Sequence, residues 1–194
     1  MSSKMKNEDR DSSNIFSILL KRMSMATILL AGWVFVGAPA YANGRNAALA
    51  NDFKFFCMRG TPSYESLDAY ASALKLPIKK DLSRDMGHRD RLRSRSWTVG
   101  SDTGPYELAA AEATQGDVKV ETCGIGSADG NGNEIRADLT AHSNFGSSQD
   151  SVSPDGQIKT VVWTLSSGER IVLTHAITGP GFYLSHVEKS LRSK

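Results

Sequence analysis

Read for the spacing of its apolar positions, the chain divides into two short helical stretches, a charge-dense break and a longer part with strand spacing. In "NAALANDFKFFCMRG", Leu49, Phe53, Phe56 and Cys57 follow one another at four, three and one residues. That spacing predicts a helix with a single apolar stripe, stopped at Gly60. "TPSYESLDAYASALKLP" predicts a second helix. Thr61 suits the cap, Pro62 the first helical position and Glu65 the first turn, and Pro77 ends the run. Tyr64, Leu67, Ala71 and Leu74 share its apolar face, so the two helices form a hairpin around Gly60.

From Lys79 to Arg95 no period is visible and apolar residues are few, which predicts an exposed segment. Strand signals follow. "SWTVGS" is short and ends at glycine. "YELAAAEATQGDVKVETCGI" reads as a hairpin turning at Thr114 to Asp117, although its alanines suit a helix equally. The hairpin has an internal check. Symmetric pairing sets Glu112 against Lys119, Leu108 against Cys123 and Tyr106 against Ile125, an opposite-charge pair and an apolar cluster on one face. That face receives the first helix. "NEIRADLTAHSNF" predicts a third helix, capped by Asn133, with Ile135, Leu139 and His142 on one side. After the polar loop "GSSQDSVSPDG", the segment "QIKTVVWTLSSGERIVLTHAI" predicts a second hairpin turning at "SSGE". Ile158, Thr160, Val162 and Thr164 then face Ile171, Leu173, His175 and Ile177, with Val161, Trp163 and Leu165 on the other side. "GFYLSHVE" completes the chain as a strand or as a C-terminal helix. Short connections imply antiparallel neighbours, so the expected class is α+β: a mostly antiparallel sheet of two hairpins plus flanking strands, an N-terminal helical hairpin, and one helix between the strand groups.

The N-terminus changes the charge balance. "KRMSMATILLAGWVFVGAPAYANG" has a basic step at Lys21 and Arg22, an apolar run from Ala26 to Val36, and small residues at Ala40 and Ala42 where a signal peptidase reads. The run is shorter than the ~20 apolar residues of a spanning helix. Residues 1–42 are therefore expected to be a signal peptide with a polar extension, and 43–194 a single globular domain. The chain has 23 Lys and Arg and 21 Asp and Glu; the first 42 residues hold five and three of them, leaving 18 of each. A formally neutral mature chain gives no support for specific nucleic-acid binding. Both cysteines, Cys57 and Cys123, lie in the mature part, where an isolated pair outside the cytosol predicts a disulfide.

Candidate chemistry is sparse. In "TCGIGSADGNGNEI" the third glycine falls one place late for a dinucleotide loop, and no Gly-Lys-Ser/Thr follows for a phosphate loop. Asp129, Asn131 and Glu134 supply too few oxygens for an ordinary calcium site. The stretch reads as a turn into a capped helix, with no metal and no cofactor expected. Among four histidines, His175 stands out because it sits on the apolar face of a strand; a core histidine satisfied by a backbone or hydroxyl partner, such as Thr160 across the hairpin, accounts for it, and a catalytic base is the weaker candidate. Arg89, Arg91, Arg93 and Arg95 alternate, so an extended chain lines them along one edge, where guanidinium groups suit carboxylates or phosphates. The expected function is a non-catalytic, exported bacterial binding or interaction module of the inhibitor, immunity or envelope-accessory kind, periplasmic or secreted. Its expected partner is an acidic protein or an anionic envelope component. The alternatives are a small secreted hydrolase using His175 and a structural envelope component. If export is right, N-terminal sequencing of protein recovered from the envelope or medium finds a start at or near Asn43. An intact Met1 contradicts it.

Overall fold

A computed structural model describes residues 42–87 and 90–191. The segment expected to be the signal peptide, up to residue 41, lies outside the described residues, as does Arg89. The described chain runs α1 (Ala42–Cys57), α2 (Tyr64–Ala73), β1 (Ile78–Gly87), β2 (Asp90–Val99), β3 (Tyr106–Gln115), β4 (Val118–Ser127), α3 (Gly132–His142), β5 (Ser148–Val152), β6 (Ile158–Thr164), β7 (Arg170–Ala176) and β8 (Phe182–Leu191). The eight strands make one antiparallel sheet in the order β1-β2-β3-β4-β8-β7-β6-β5. It consists of two four-stranded meanders that meet at β4 and β8. This seam pairs ten residues, from Val118↔Leu191 to Ser127↔Phe182. The fold is α+β with an antiparallel sheet, as the pattern of the sequence predicts.

One face of the sheet carries the core. Along β3 burial alternates strictly, with Tyr106, Leu108, Ala110, Glu112 and Thr114 buried. Cross-strand pairing extends Leu108 into a row of Trp97, Leu108, Ile125, Leu184, Leu173 and Val161, one residue from each of six strands, none more than 1% exposed. Each such side chain contributes about 1.5–3 kcal/mol on burial. The three helices cover this face. Leu49 and Phe53 of α1, Leu67 and Ala71 of α2, and Ile135 and Leu139 of α3 are buried with it. Helix α1 lies on β4 and β8, α2 on β2 to β4, and α3 on β7 and against α1.

Several local expectations are corrected. The segment from Lys79 to Arg95 is not a loop: it is the β1–β2 hairpin, Asp81↔Arg95 to Asp85↔Arg91. The polar loop after α3 contains β5, paired with β6 from Ser148↔Trp163 to Val152↔Lys159. β1 and β5 are the two edge strands, and an edge strand has no reason to carry the apolar alternation that marks a half-buried one. The α2 cap is Ser63, not Thr61, because Ser63 is extended and its Oγ accepts from the Ser66 N–H at 3.3 Å. The α3 cap is Asn131, not Asn133; its side chain accepts from the Asn133 and Glu134 N–H groups at 2.9 and 3.3 Å. The β3–β4 turn is only Gly116 and Asp117, so pairing shifts by two, to Leu108↔Ile125 and Glu112↔Glu121. A shift of two keeps the face, and Tyr106, Leu108, Cys123 and Ile125 still receive α1. In the β6–β7 hairpin the error is odd. The Leu165 N–H bonds the Glu169 carbonyl across a three-residue loop, so Val161 and Trp163, not Thr160 and Val162, share the buried face with Leu173 and His175.

Cys57 and Cys123 form the disulfide, with Cα atoms 5.3 Å apart and a sequence separation of 66. A loop of that length stabilises the fold by roughly 4 kcal/mol in the chain-entropy model. Cys57→Ala should lower the unfolding free energy, measured in urea, by roughly 2–5 kcal/mol. Labelling of two thiols in denatured, unreduced protein contradicts the pairing.

Candidate functional site

Three of the alternating arginines point toward the helices. Arg91, Arg93 and Arg95 share the face of Trp97, which lies under α2. Arg93 fits between two elements: its guanidinium bonds Glu112 of β3 through Nε at 3.1 Å and Nη2 at 2.9 Å, and pairs with Glu65 of α2. Its Cζ also stacks 4.2 Å above the Tyr64 ring. Arg95 bonds Asp68 of α2 at 2.6 Å and Asp81 of β1 at 2.5 Å. Lys119 completes the layer, 3.1 Å from Glu112 and 2.9 Å from Glu121. Glu121 also accepts the N–H of Tyr64, the first residue of α2, at 3.2 Å, so a carboxylate meets the positive end of that helix.

These contacts shift the titrations. Burial alone raises the Glu112 pKa, but hydrogen bonds from Arg93 and Lys119 overcome it and hold the group below its ordinary value. Arg93 holds Glu65 down in the same way. Burial opposes charge on Arg93 as well, yet Glu112 and Glu65 hold its pKa above the usual arginine value. Carboxylate oxygens of Glu65, Glu112 and Glu121 lie within 4.8 Å of one another, a spacing that suits a metal ion. Here Arg93 and Lys119 supply the counter-charge from within the chain. A cleft of about 520 Å³ opens beside this cluster, lined by Arg91, Lys119, Ser190 and Leu191 among others. Arg91 is exposed, and no ion pair among the described residues uses it.

The remaining candidates sit elsewhere. His175 is 2% exposed. Its partner is a backbone one: Nδ1–H donates to the Ala176 carbonyl at 2.8 Å, while Thr160 lies beside Thr174 at 3.4 Å. Its Nε2 is buried without a hydrogen-bond partner. The start of α3 lies directly on it: a Cβ on Gly132 would come within 2.2 Å of the His175 Cβ. That close approach explains the glycine in "DGNGNE". Asp129 takes Arg45 at 2.6 Å, and Glu134 takes the Asn46 amide at 2.6 Å. With Asn131 capping the helix, the stretch fastens α3 to α1. His186, which sequence reasoning passed over, is 2% exposed. Its Nδ1 lies 2.6 Å from the Cys57 carbonyl and its Nε2 3.1 Å from a Glu169 carboxylate oxygen. Only the pairing Cys123↔His186 reveals this role, and no sequence pattern carries it.

No family model matches the chain, and neither a curated protein nor a solved structure matches it. Its class is defined by its own architecture: an α+β protein in which two four-stranded meanders share one sheet and a disulfide ties the first described helix to the seam.

Because Glu65 and Glu112 release their protons more readily folded than unfolded, their contribution is complete above the unfolded value of about 4.3. It disappears as pH falls through the lower folded value. Glu112→Gln should cost about 1–3 kcal/mol at neutral pH, since Arg93 and Lys119 lose a charged acceptor. It should also reduce the drop in urea midpoint on acidification. An unchanged acid profile contradicts the assignment.

Proposed function

We propose that the protein is an exported, non-catalytic binding module that binds its partner through the sheet face left uncovered by the helices. One observation carries this reading: at the β2–β4 end the sheet is inside out. Under α2 lie Arg93, Glu112 and Glu121; on the opposite face the same strands carry Leu92, Ala113 and Val120. The aliphatic character continues through Ala109 and Ala111 of β3, Val187 of β8, Val172 of β7 and Val162 of β6. An antiparallel sheet that faces only water alternates toward polar residues. No described element covers this face.

Other features support the reading. The disulfide suits a compartment outside the reducing cytosol. Among the described residues no helix is long and apolar enough to cross a membrane. The hydrolase alternative requires a base in contact with a nucleophile. His175 bonds only its neighbour's carbonyl, and the fold encloses it.

A photo-cross-linking amino acid at Val120 or Val187 tests the reading in the producing cell. A discrete adduct is expected from these positions and not from Asp81 on the opposite face. The reading fails if no adduct forms and the recovered protein hydrolyses an ester or peptide panel in a manner abolished by His175→Gln.

A further inference from the structure

We propose that the uncovered sheet face docks an acidic amphipathic segment of a protein partner, apolar side chains on the aliphatic strip and carboxylates on the cations that close its ends. The inference rests on the binding-module reading and specifies its partner. Register defines the strip. One row runs Arg84, Leu92, Ala113, Val120, Lys189 across β1, β2, β3, β4 and β8. The adjacent row runs Ser94, Ala111, Thr122 and Val187 to Arg170 on β7. In both rows the middle is small or aliphatic, and the closing cations Arg84, Lys189 and Arg170 are exposed. None of the ion pairs found among the described residues involves these three.

The carboxylates on this face are already engaged. Glu107 pairs with Lys79 at 2.6 Å, and Asp90 accepts the Gly116 N–H at 2.9 Å. The strip therefore presents apolar surface bounded by positive charge, although the mature chain is formally neutral. At about 4.8 Å per strand, Arg84 and Lys189 stand about 19 Å apart. A helix of about 13 residues covers that distance at 1.5 Å per residue. With Glu or Asp at each end and large aliphatic residues between, such a segment complements both the charge and the shape. Apart from Leu92 near its β1 end, the strip supplies only Ser, Ala, Thr and Val, so the partner brings the bulk. On the flank Tyr183 lies over Gly124, where a Cβ would meet its phenol oxygen at 2.7 Å.

Two other occupants fit less well. A second copy of the chain places one cationic face against another, because a twofold interface pairs a patch with itself. An anionic membrane requires large apolar groups to enter the headgroup region together, and here Leu82 and Leu191 stand at opposite margins of a strip whose middle is Ala111, Ala113, Val120 and Thr122.

The test uses the expressed full chain, isotope-labelled, and three probes: a synthetic amphipathic Leu/Glu helix, its Leu/Lys counterpart, and phosphatidylglycerol vesicles. The Leu/Glu peptide should shift the amide signals of Ala111, Val120, Val187 and Arg170, and added salt should weaken it. The Leu/Lys peptide should leave them in place. Arg84→Glu with Lys189→Glu should raise the Kd about tenfold or more at unchanged Tm. If that pair fails to fold, Arg84→Gln with Lys189→Gln should raise it in the same direction. Shifts confined to the Arg91 cleft, preference for the vesicles or for the Leu/Lys peptide, self-association through the same amides, or no binding at all overturns the proposal. The two readings fail separately: a photo-adduct at Val120 with a basic protein leaves the module standing and refutes the acidic partner.

Discussion

Cys57 is held from both strands of the seam. Its sulfur is bonded to Cys123 of β4, and its carbonyl receives the Nδ1–H of His186 of β8. Cys123 and His186 are themselves direct partners across the seam. The end of α1 thus clamps the one pairing that turns two meanders into a single sheet, and Glu169, at the entrance to β7, extends the clamp through the second nitrogen of His186. Typical domains are stable by only 5–15 kcal/mol, so a cross-link contributing roughly 4 kcal/mol is a large share of the total. The core row from Trp97 to Val161 crosses the seam at Ile125↔Leu184. It stays continuous only while the clamp keeps that register.

The charged layer under α2 follows another logic. Buried ion pairs are a poor source of stability compared with apolar packing, although breaking one is costly. What Arg93 and Arg95 provide is register and docking. Each joins β2 to a second strand and to α2 at once: Arg93 with Glu112 and Glu65, Arg95 with Asp81 and Asp68. A slip of one residue in β2 would turn the arginines to the outer face and leave Glu112 buried without Arg93. The same alternation that draws the charges inward puts Leu92, Ala113 and Val120 outside. The uncovered aliphatic face and the ion-pair layer are two sides of the same strands.

Much of this was legible in the chain. Both N-terminal helices, the hairpin at residues 106–127, the second hairpin, the last strand, the disulfide and the α+β class follow from periodicity and cysteine use. The edge strands did not, because β1 and β5 carry polar residues on both faces and give no period. The arginine alternation was visible, but not which face it took. That depends on Glu65, Asp68, Asp81 and Glu112, which come from α2, β1 and β3 and meet only in the folded chain. A two-residue error in the first hairpin left its buried face intact, whereas a three-residue loop in the second exchanged the faces of β6. His186 had no local signal, since its partners are 129 and 17 residues away.

The clamp is tested most directly by native-state hydrogen exchange along the seam. If Cys57 and His186 hold β4 and β8 as one cooperative unit, the amides of Ile125 and Leu184 exchange only through global unfolding. Their opening free energy then equals that of Leu108 and Leu173 inside the two meanders. A lower opening free energy at Ile125 and Leu184 than within either meander would mean that the halves separate before they unfold, and would contradict the account.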